Sequence, residues 1–378
     1  MATEGYVIGI DYGTQSARAQ VTAIADGAAK GEAVYRYPHG VMSRQLPDGT
    51  PLEGGDWALA HPQDYWDALT VLIPEAIKAA GVSAGQIVGI SIAATAYSML
   101  PVDESMTPLC FRPRFESQPH AYLKLWKHHR AEADARLLSA VARQRNEAFL
   151  PDYGGTVSSE WALPKMMEVF REAPDVYEAA DCFMQFSDWL DSRLTGRLVR
   201  GGGIAAFKSL YDKRKGYPCA EYLHCVHPAL EAMVKDKLRG SMFWPGERVG
   251  ELLPAMADAL GLLPGTAVGS GHTDAHAAAL GAGICRSGDY LVVLGTSSVT
   301  HFLHKSNRKV PGISATIQDG LLPKLTCYTA GQPCVGDMLE WLVRFVNPHA
   351  TGADYAALEQ KALSLLPAES GLIALDWW

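Results

Sequence analysis

The sequence predicts an α/β protein built as two domains. A strand meander opens the chain, with apolar segments at 6–10, 17–24 and 33–37 separated by turn-forming residues. Alternating strand and helix patterns resume after Pro254. The 378 residues, 48% of them hydrophobic, are enough to fill two cores without crosslinks.

The first strand runs into Asp11-Tyr12-Gly13-Thr14-Gln15-Ser16, and a turn at Asp26-Gly27 leads to the third. Residues 38–60 are rich in Gly and Pro and aperiodic, which reads as a long loop near a substrate cleft. From Pro62, the residues Tyr65, Leu69, Leu72, Ile73, Ala76 and Ile77 recur at helical spacing up to Gly81, with a kink expected at Pro74. The apolar run 87–92 suits a strand buried on both faces. Residues 119–240 read as mainly helical, with one helix over 160–171, another closing at Leu194-Thr195-Gly196, and an interruption at Gly201-Gly202-Gly203. Beyond Pro254 come a strand at 267–268, a helix from about Thr273, a strand at 290–294 and a helix over 335–345. A boundary near residue 253 divides the chain into 1–253 and 254–378.

A net charge of −8 with no clustered Lys and Arg argues against a nucleic-acid partner. The opening Met1-Ala2-Thr3-Glu4 lacks a basic leader, and no apolar run reaches membrane-spanning length, so a cytoplasmic protein with no membrane partner is expected. The seven cysteines are scattered and form no CxxC pair, which fits reduced, mostly buried thiols. Cys219, His224, Cys225 and His227 are the rival zinc set, at a spacing that fits no common pattern.

One long-range echo stands out. An apolar strand, a Gly-Thr-x-Ser tetrad and a second strand occur at 7–21 and again at 290–302, the tetrads being Gly13-Thr14-Gln15-Ser16 and Gly295-Thr296-Ser297-Ser298. Either tetrad alone is an ordinary hairpin turn. As a pair they can present N–H groups and hydroxyls to nucleotide phosphates from two walls of a cleft. Phosphoryl transfer also needs a metal and a carboxylate that accepts the attacking hydroxyl's proton. Asp11, at a strand end before the first tetrad, is placed to hold Mg²⁺, with a turn-forming Asx residue as the competing reading. Asp274 follows the glycine-rich Gly269-Ser270-Gly271, read as a loop, and opens a small-residue helix. It is either the general base or a helix N-terminal acid stabilised by unpaired N–H groups. The roles of His272 and His276 beside it stay open.

The order Asp11-Tyr12-Gly13-Thr14, Asp188-Trp189-Leu190 with Leu194-Thr195-Gly196, Asp274-Ala275-His276-Ala277 and Gly295-Thr296-Ser297 resembles the FGGY carbohydrate kinases. Ser158-Ser159-Glu160-Trp161, Ala330-Gly331-Gln332 with Val335-Gly336-Asp337, and Ala374-Leu375-Asp376-Trp377-Trp378 look like the ribulokinases within them. The resemblance implies an actin-like (ribonuclease H-like) fold of two domains closing over ATP and sugar, the second of them incomplete here. It implies ATP-dependent phosphorylation of a pentulose, Asp274 as base, Asp11 as metal holder, and Ala96, Trp126, Lys208 and position 329 lining the sugar. ATP and Mg²⁺ are the implied cofactors, and a homodimer is compatible with it. For Lys208 an exposed helix-end lysine is the competing reading. For Trp126, at helical spacing from Tyr122 and His129, the rival is a plain core tryptophan.

Two departures qualify the resemblance. Thr329 stands where ribulokinases generally carry glutamate, which removes a charged acceptor and leaves the sugar open to a polyol such as ribitol, xylulose or glycerol. The chain also ends before the segment that supplies the family's glycine-rich adenosine motif, so weak and base-indifferent ATP binding is expected. A noncatalytic sugar-binding fragment and a chaperone-like or cytoskeletal ATPase are the alternatives from other functional classes.

Overall fold

Inward placement of Tyr6, Ile8, Ile10 and Tyr12 on alternate residues makes the opening segment a half-buried strand. In the computed structural model, which describes residues 5–294, 298–332 and 334–373, β1 (Tyr6–Tyr12), β2 (Ser16–Ala23) and β3 (Ala29–Arg36) form the expected antiparallel meander. After β4 (Leu59–Ala60), α1 (Pro62–Ala80) packs on β2 and β3. The ring of His61 caps its start by accepting from the Gln63 N–H, and Gly81 closes it in a left-handed conformation. Pro74 lies within this continuous helix.

The strand β5 (Ile87–Ala94) then joins β1 in parallel. With β11 (Arg248–Glu251) and β12 (Ala267–Thr273), these strands make a six-stranded sheet of order β11-β12-β5-β1-β2-β3. The expected boundary near residue 253 therefore falls between two strands of one sheet, with only α9 (Pro254–Leu260) joining them. A separate four-stranded sheet begins at Tyr290 and orders β13 (Tyr290–Leu294), β14 (Ser298–His304), β16 (Thr326–Gln332) and β15 (Ala315–Gln318). The helix α10 (Asp274–Gly281) lies in the chain between the two sheets, and α11 (Gly336–Val346) and α12 (Gly352–Leu363) follow the second.

The middle of the chain builds a second core around a small sheet of β4, β6 (Met99–Val102), β7 (Leu123–Lys124) and β8 (Cys182–Gln185), and a pair of β9 (Val199–Gly201) with β10 (Ser241–Phe243). Around them pack α2 (Glu132–Gln144), α3 (Ala162–Glu172), α4 (Pro174–Ala179), α5 (Phe186–Thr195), α6 (Gly202–Lys208), α7 (Ala220–Val226) and α8 (Leu230–Lys237). The 38–60 loop contributes Met42, Leu46, Leu52 and Trp57 to this core, so it is a packed segment and not an open flap.

Four local expectations are corrected. The helix expected from residue 160 begins at Ala162, because Ser158 to Trp161 close a turn first. Trp126 is not helical, since it follows β7 in a turn. The three glycines at 201–203 do not interrupt helical structure: Gly201 ends a strand and Gly202 starts a helix. Gly269-Ser270-Gly271 is strand and not loop. A Cβ on Gly271 would sit 2.7 Å from the Ile92 carbonyl oxygen, so glycine is what lets β12 lie this close to β5. Between Gly269, opposite Ser91, and His272, opposite Ala93, β12 carries one residue more than its partner, a β-bulge. The rival zinc set is not assembled, and Cys219 and Cys225 are both exposed.

Candidate active site

The three parallel strands end together. Tyr12, Ala94 and Thr273 occupy one row across β1, β5 and β12, so Asp11 just before that row and Asp274 just after it stand at the carboxyl ends of strands separated by a single neighbour. At about 4.8 Å between strands, this places their backbones roughly 10 Å apart, at the strand ends where open α/β sheets place a ligand crevice. Burial raises the Asp11 carboxyl above its usual range, with Arg18 across the hairpin pulling it down. Burial also raises Asp274, and Asp11 adds to the rise, while the Ala275 N–H and Lys208 oppose it. The Ala275 N–H donates to Asp274 Oδ1 at 2.7 Å, and the helix N-cap is Thr273. Among the described residues no ion pair engages either carboxylate. Two oxygen donors, with the charge of Asp11 felt by Asp274 and no close ion pair on either, suit a hard divalent cation. A cavity of about 520 Å³ opens beside Asp11, lined also by Arg18, Ser91, Ser270, His272 and Ala277.

Gly13 closes the β1–β2 turn by donating its N–H to the Ser16 carbonyl at 3.0 Å, leaving Thr14 and Gln15 at the tip. Gly295, Thr296 and Ser297 of the second tetrad lie outside the described residues, although the hairpin of β13 and β14 flanking them is present.

Of the residues expected at the sugar, Trp126 donates its indole N–H to the Thr14 hydroxyl at 3.0 Å, which joins it to the β1–β2 turn. Ala96 and Trp126 share a support that sequence reasoning missed. Fully buried Lys165 on α3 donates to the Tyr97 carbonyl and to the Leu125 carbonyl, each at 2.7 Å, one residue from Ala96 and Trp126 respectively. Lys208, at the end of α6, is half-buried, lies 3.9 Å from Glu160 and sits over the Trp161 ring. It acts on the Asp274 carboxyl through its charge. Thr329 lies on the second sheet opposite His301, whose Nδ1 is 3.3 Å from its hydroxyl, and it lines a different cavity of about 590 Å³.

The other unforeseen residues brace the strand ends. Asp188 Oδ1 on α5 accepts from the Gly201 N–H at 2.9 Å, and Asp191 Oδ2 accepts from the Gly271 N–H at 3.4 Å. Burial pushes Asp188 up to about 6 against the pull of Arg200, and it pushes Asp191 well up, with Asp188 adding to the rise. The sequence signal was two acids at i and i+3 in a helix otherwise buried almost throughout. His272 now has a role: Nδ1 accepts the Thr273 N–H at 2.7 Å, and Nε2 donates to the Gly320 carbonyl at 2.9 Å, tying β12 to the loop before β16. Burial holds its pKa down at about 4, so the ring is neutral at neutral pH.

Residues 6–281 match the FGGY family of carbohydrate kinases, N-terminal domain. The chain is 43% identical to the ribulokinase of Shouchella clausii over 99% of its own length and 68% of that protein's. It is 41% identical to the ribulokinase of Halalkalibacterium halodurans over its whole length and 68% of that relative. Its fold superposes on the xylulose kinase of Rhodospirillum rubrum with a TM-score of 0.78 at 22% identity, covering 98% of this chain and 70% of the other. With the motif order, the paired strand-end carboxylates and these likenesses in agreement, the chain belongs to the FGGY family of carbohydrate kinases.

Proposed function

We propose that this chain is an ATP-dependent kinase that moves the γ-phosphate onto a hydroxyl of a pentulose, ribulose or a related ketopentose. The observation that carries the reading is the pair Asp11 and Asp274 at the ends of two parallel strands that flank β5, with the Gly13-to-Ser16 turn following Asp11. The Asp11 carboxylate would hold Mg²⁺, which when bound neutralises charge on the phosphate oxygens. Asp274 accepts the proton of the attacking hydroxyl at its carboxylate, and its raised pKa brings it closer to the working pH of a general base. Lys208 orients sugar hydroxyls by donating to them, and Trp126 offers an apolar face. The turn at Gly13, Thr14, Gln15 and Ser16 supplies backbone N–H groups and hydroxyls to phosphate, in company with Gly295, Thr296 and Ser297. Thr329 shapes the sugar end from the second sheet.

The test is ADP release over ribulose, xylulose, ribitol, arabinitol and glycerol. A pentulose is expected to give the highest rate, and Asp274→Asn to lower turnover by about 10²- to 10⁴-fold while sugar binding persists. Turnover at the native rate in a correctly folded Asp274→Asn variant removes the base assignment.

A further inference from the structure

We propose that His276, His301 and Cys327 form a buried site for a thiophilic transition-metal ion of the zinc class. The three residues come from α10, β14 and β16, and one ligand atom from each lies within 4.8 Å of the other two. Their exposures are 5%, 0% and 0%, so water does not satisfy them. Nε2 of His276 and Nε2 of His301 are both buried without a hydrogen-bond partner among the described residues, a costly arrangement that calls for a ligand. His276 Nδ1 is already engaged by the Thr273 hydroxyl at 2.5 Å, which fixes the ring and leaves Nε2 free, as second partners of metal-bound imidazoles do. Cys327 Sγ lies 4.0 Å from His301 Nδ1, with the Thr329 hydroxyl beside both.

The donor chemistry separates this site from the Asp11 and Asp274 pair. Imidazole and thiolate suit zinc-like ions, whereas Mg²⁺ seeks hard oxygens. With metal–ligand bonds of about 2.0–2.3 Å, tetrahedral ligands stand roughly 3.5 Å apart, so binding draws the three atoms together by about 1 Å. The ion displaces the Cys327 thiol proton, which leaves to solvent. Occupancy ties the first turn of α10, which carries Asp274, to two strands of the second sheet. This inference does not depend on which sugar the protein uses.

Titrating the chelator-stripped protein with Co²⁺ tests it by absorbance. The expected result is one equivalent bound, with a thiolate-to-cobalt charge-transfer band in the near ultraviolet and visible bands of tetrahedral intensity, all abolished by one equivalent of Zn²⁺. Cys327→Ser is expected to lose the charge-transfer band, and His301→Ala to weaken binding at least tenfold. A Cys219→Ser/Cys225→Ser double variant, altered only at exposed thiols, is expected to keep the full spectrum, which excludes those thiols as the source of the band, and circular dichroism checks that the buried variants fold. Absence of saturable binding overturns the proposal. So does a charge-transfer band that survives Cys327→Ser or disappears with the two exposed thiols.

Discussion

Trp126 hands its indole N–H to the hydroxyl of Thr14 over 3.0 Å, so an aromatic residue expected at the sugar and a turn residue expected at phosphate are held by one bond across 112 positions of chain. Trp126→Phe keeps the apolar face and removes the donor, and Thr14→Val removes the acceptor. Each is expected to lower kcat/KM by about three- to tenfold, the worth of one hydrogen bond. The double variant is expected to be little worse than either single one, because both remove the same interaction. Steady-state kinetics on the four proteins closes that cycle, and simple multiplication of the two losses would show that the bond does not couple the groups.

Lys165 holds the carbonyls next to Ala96 and Trp126, so its loss disturbs both at once. Lys165→Met fills much of the same space but leaves two buried acceptors without donors, at a cost of about 1–3 kcal/mol each. The KM for the pentulose is expected to rise by about tenfold or more, with a smaller change in the KM for ATP. Circular dichroism confirms folding, and equal rises in both constants would mark Lys165 as a general structural support.

Thr329→Glu places a carboxylate against His301, 3.3 Å from the present hydroxyl. Burial now holds His301 at about 4, and a neighbouring carboxylate raises it. Preference is expected to shift toward ribulose over xylulose and the polyols, measured as a ratio of kcat/KM values. An unchanged ratio would mean that residue 329 does not face the sugar.

Asp188 supplies a pH signature. Its folded-state pKa of about 6 exceeds the unfolded carboxylate value, so between about pH 4 and pH 6 the native state binds the extra proton. The contribution of this group is fully present below about pH 4 and is lost as pH rises through about 6, by at most about 3 kcal/mol. Buried Asp191 shifts in the same direction. Asp188→Asn retains an acceptor for the Gly201 N–H and does not ionise, so its melting temperature relative to the parent is expected to rise between pH 4 and pH 7. A constant difference would show that Asp188 is not protonated in the native state.

Much of this architecture is legible locally. Alternation in β1 and β2, the Pro62 and Gly81 caps of α1, and the small-residue helix after Asp274 each follow from residue type and spacing. What is not legible depends on partners distant in sequence. Gly271 reads as loop because its neighbours are glycine and serine, yet its need for glycine comes from Ile92 on another strand. Lys165 looks like a surface lysine in an amphipathic helix until the carbonyls of Tyr97 and Leu125 meet it. The boundary near residue 253 follows from the strand and helix alternation that resumes after Pro254, whereas β12 pairs with a strand almost 180 residues earlier.

The extra residue that β12 carries between Gly269 and His272 makes this stretch an intolerant place for insertions and deletions. Losing Ser270 or Gly271 would remove the bulge and its added twist, and adding a residue after it would advance Thr273 by one step, about 3.3 Å, and turn the following side chains toward the opposite face. Asp274 would then leave the crevice although no residue of the constellation had been substituted. Natural length variation among relatives should therefore collect in the surface connections and avoid residues 269–273, where chain length itself acts as a heritable catalytic trait.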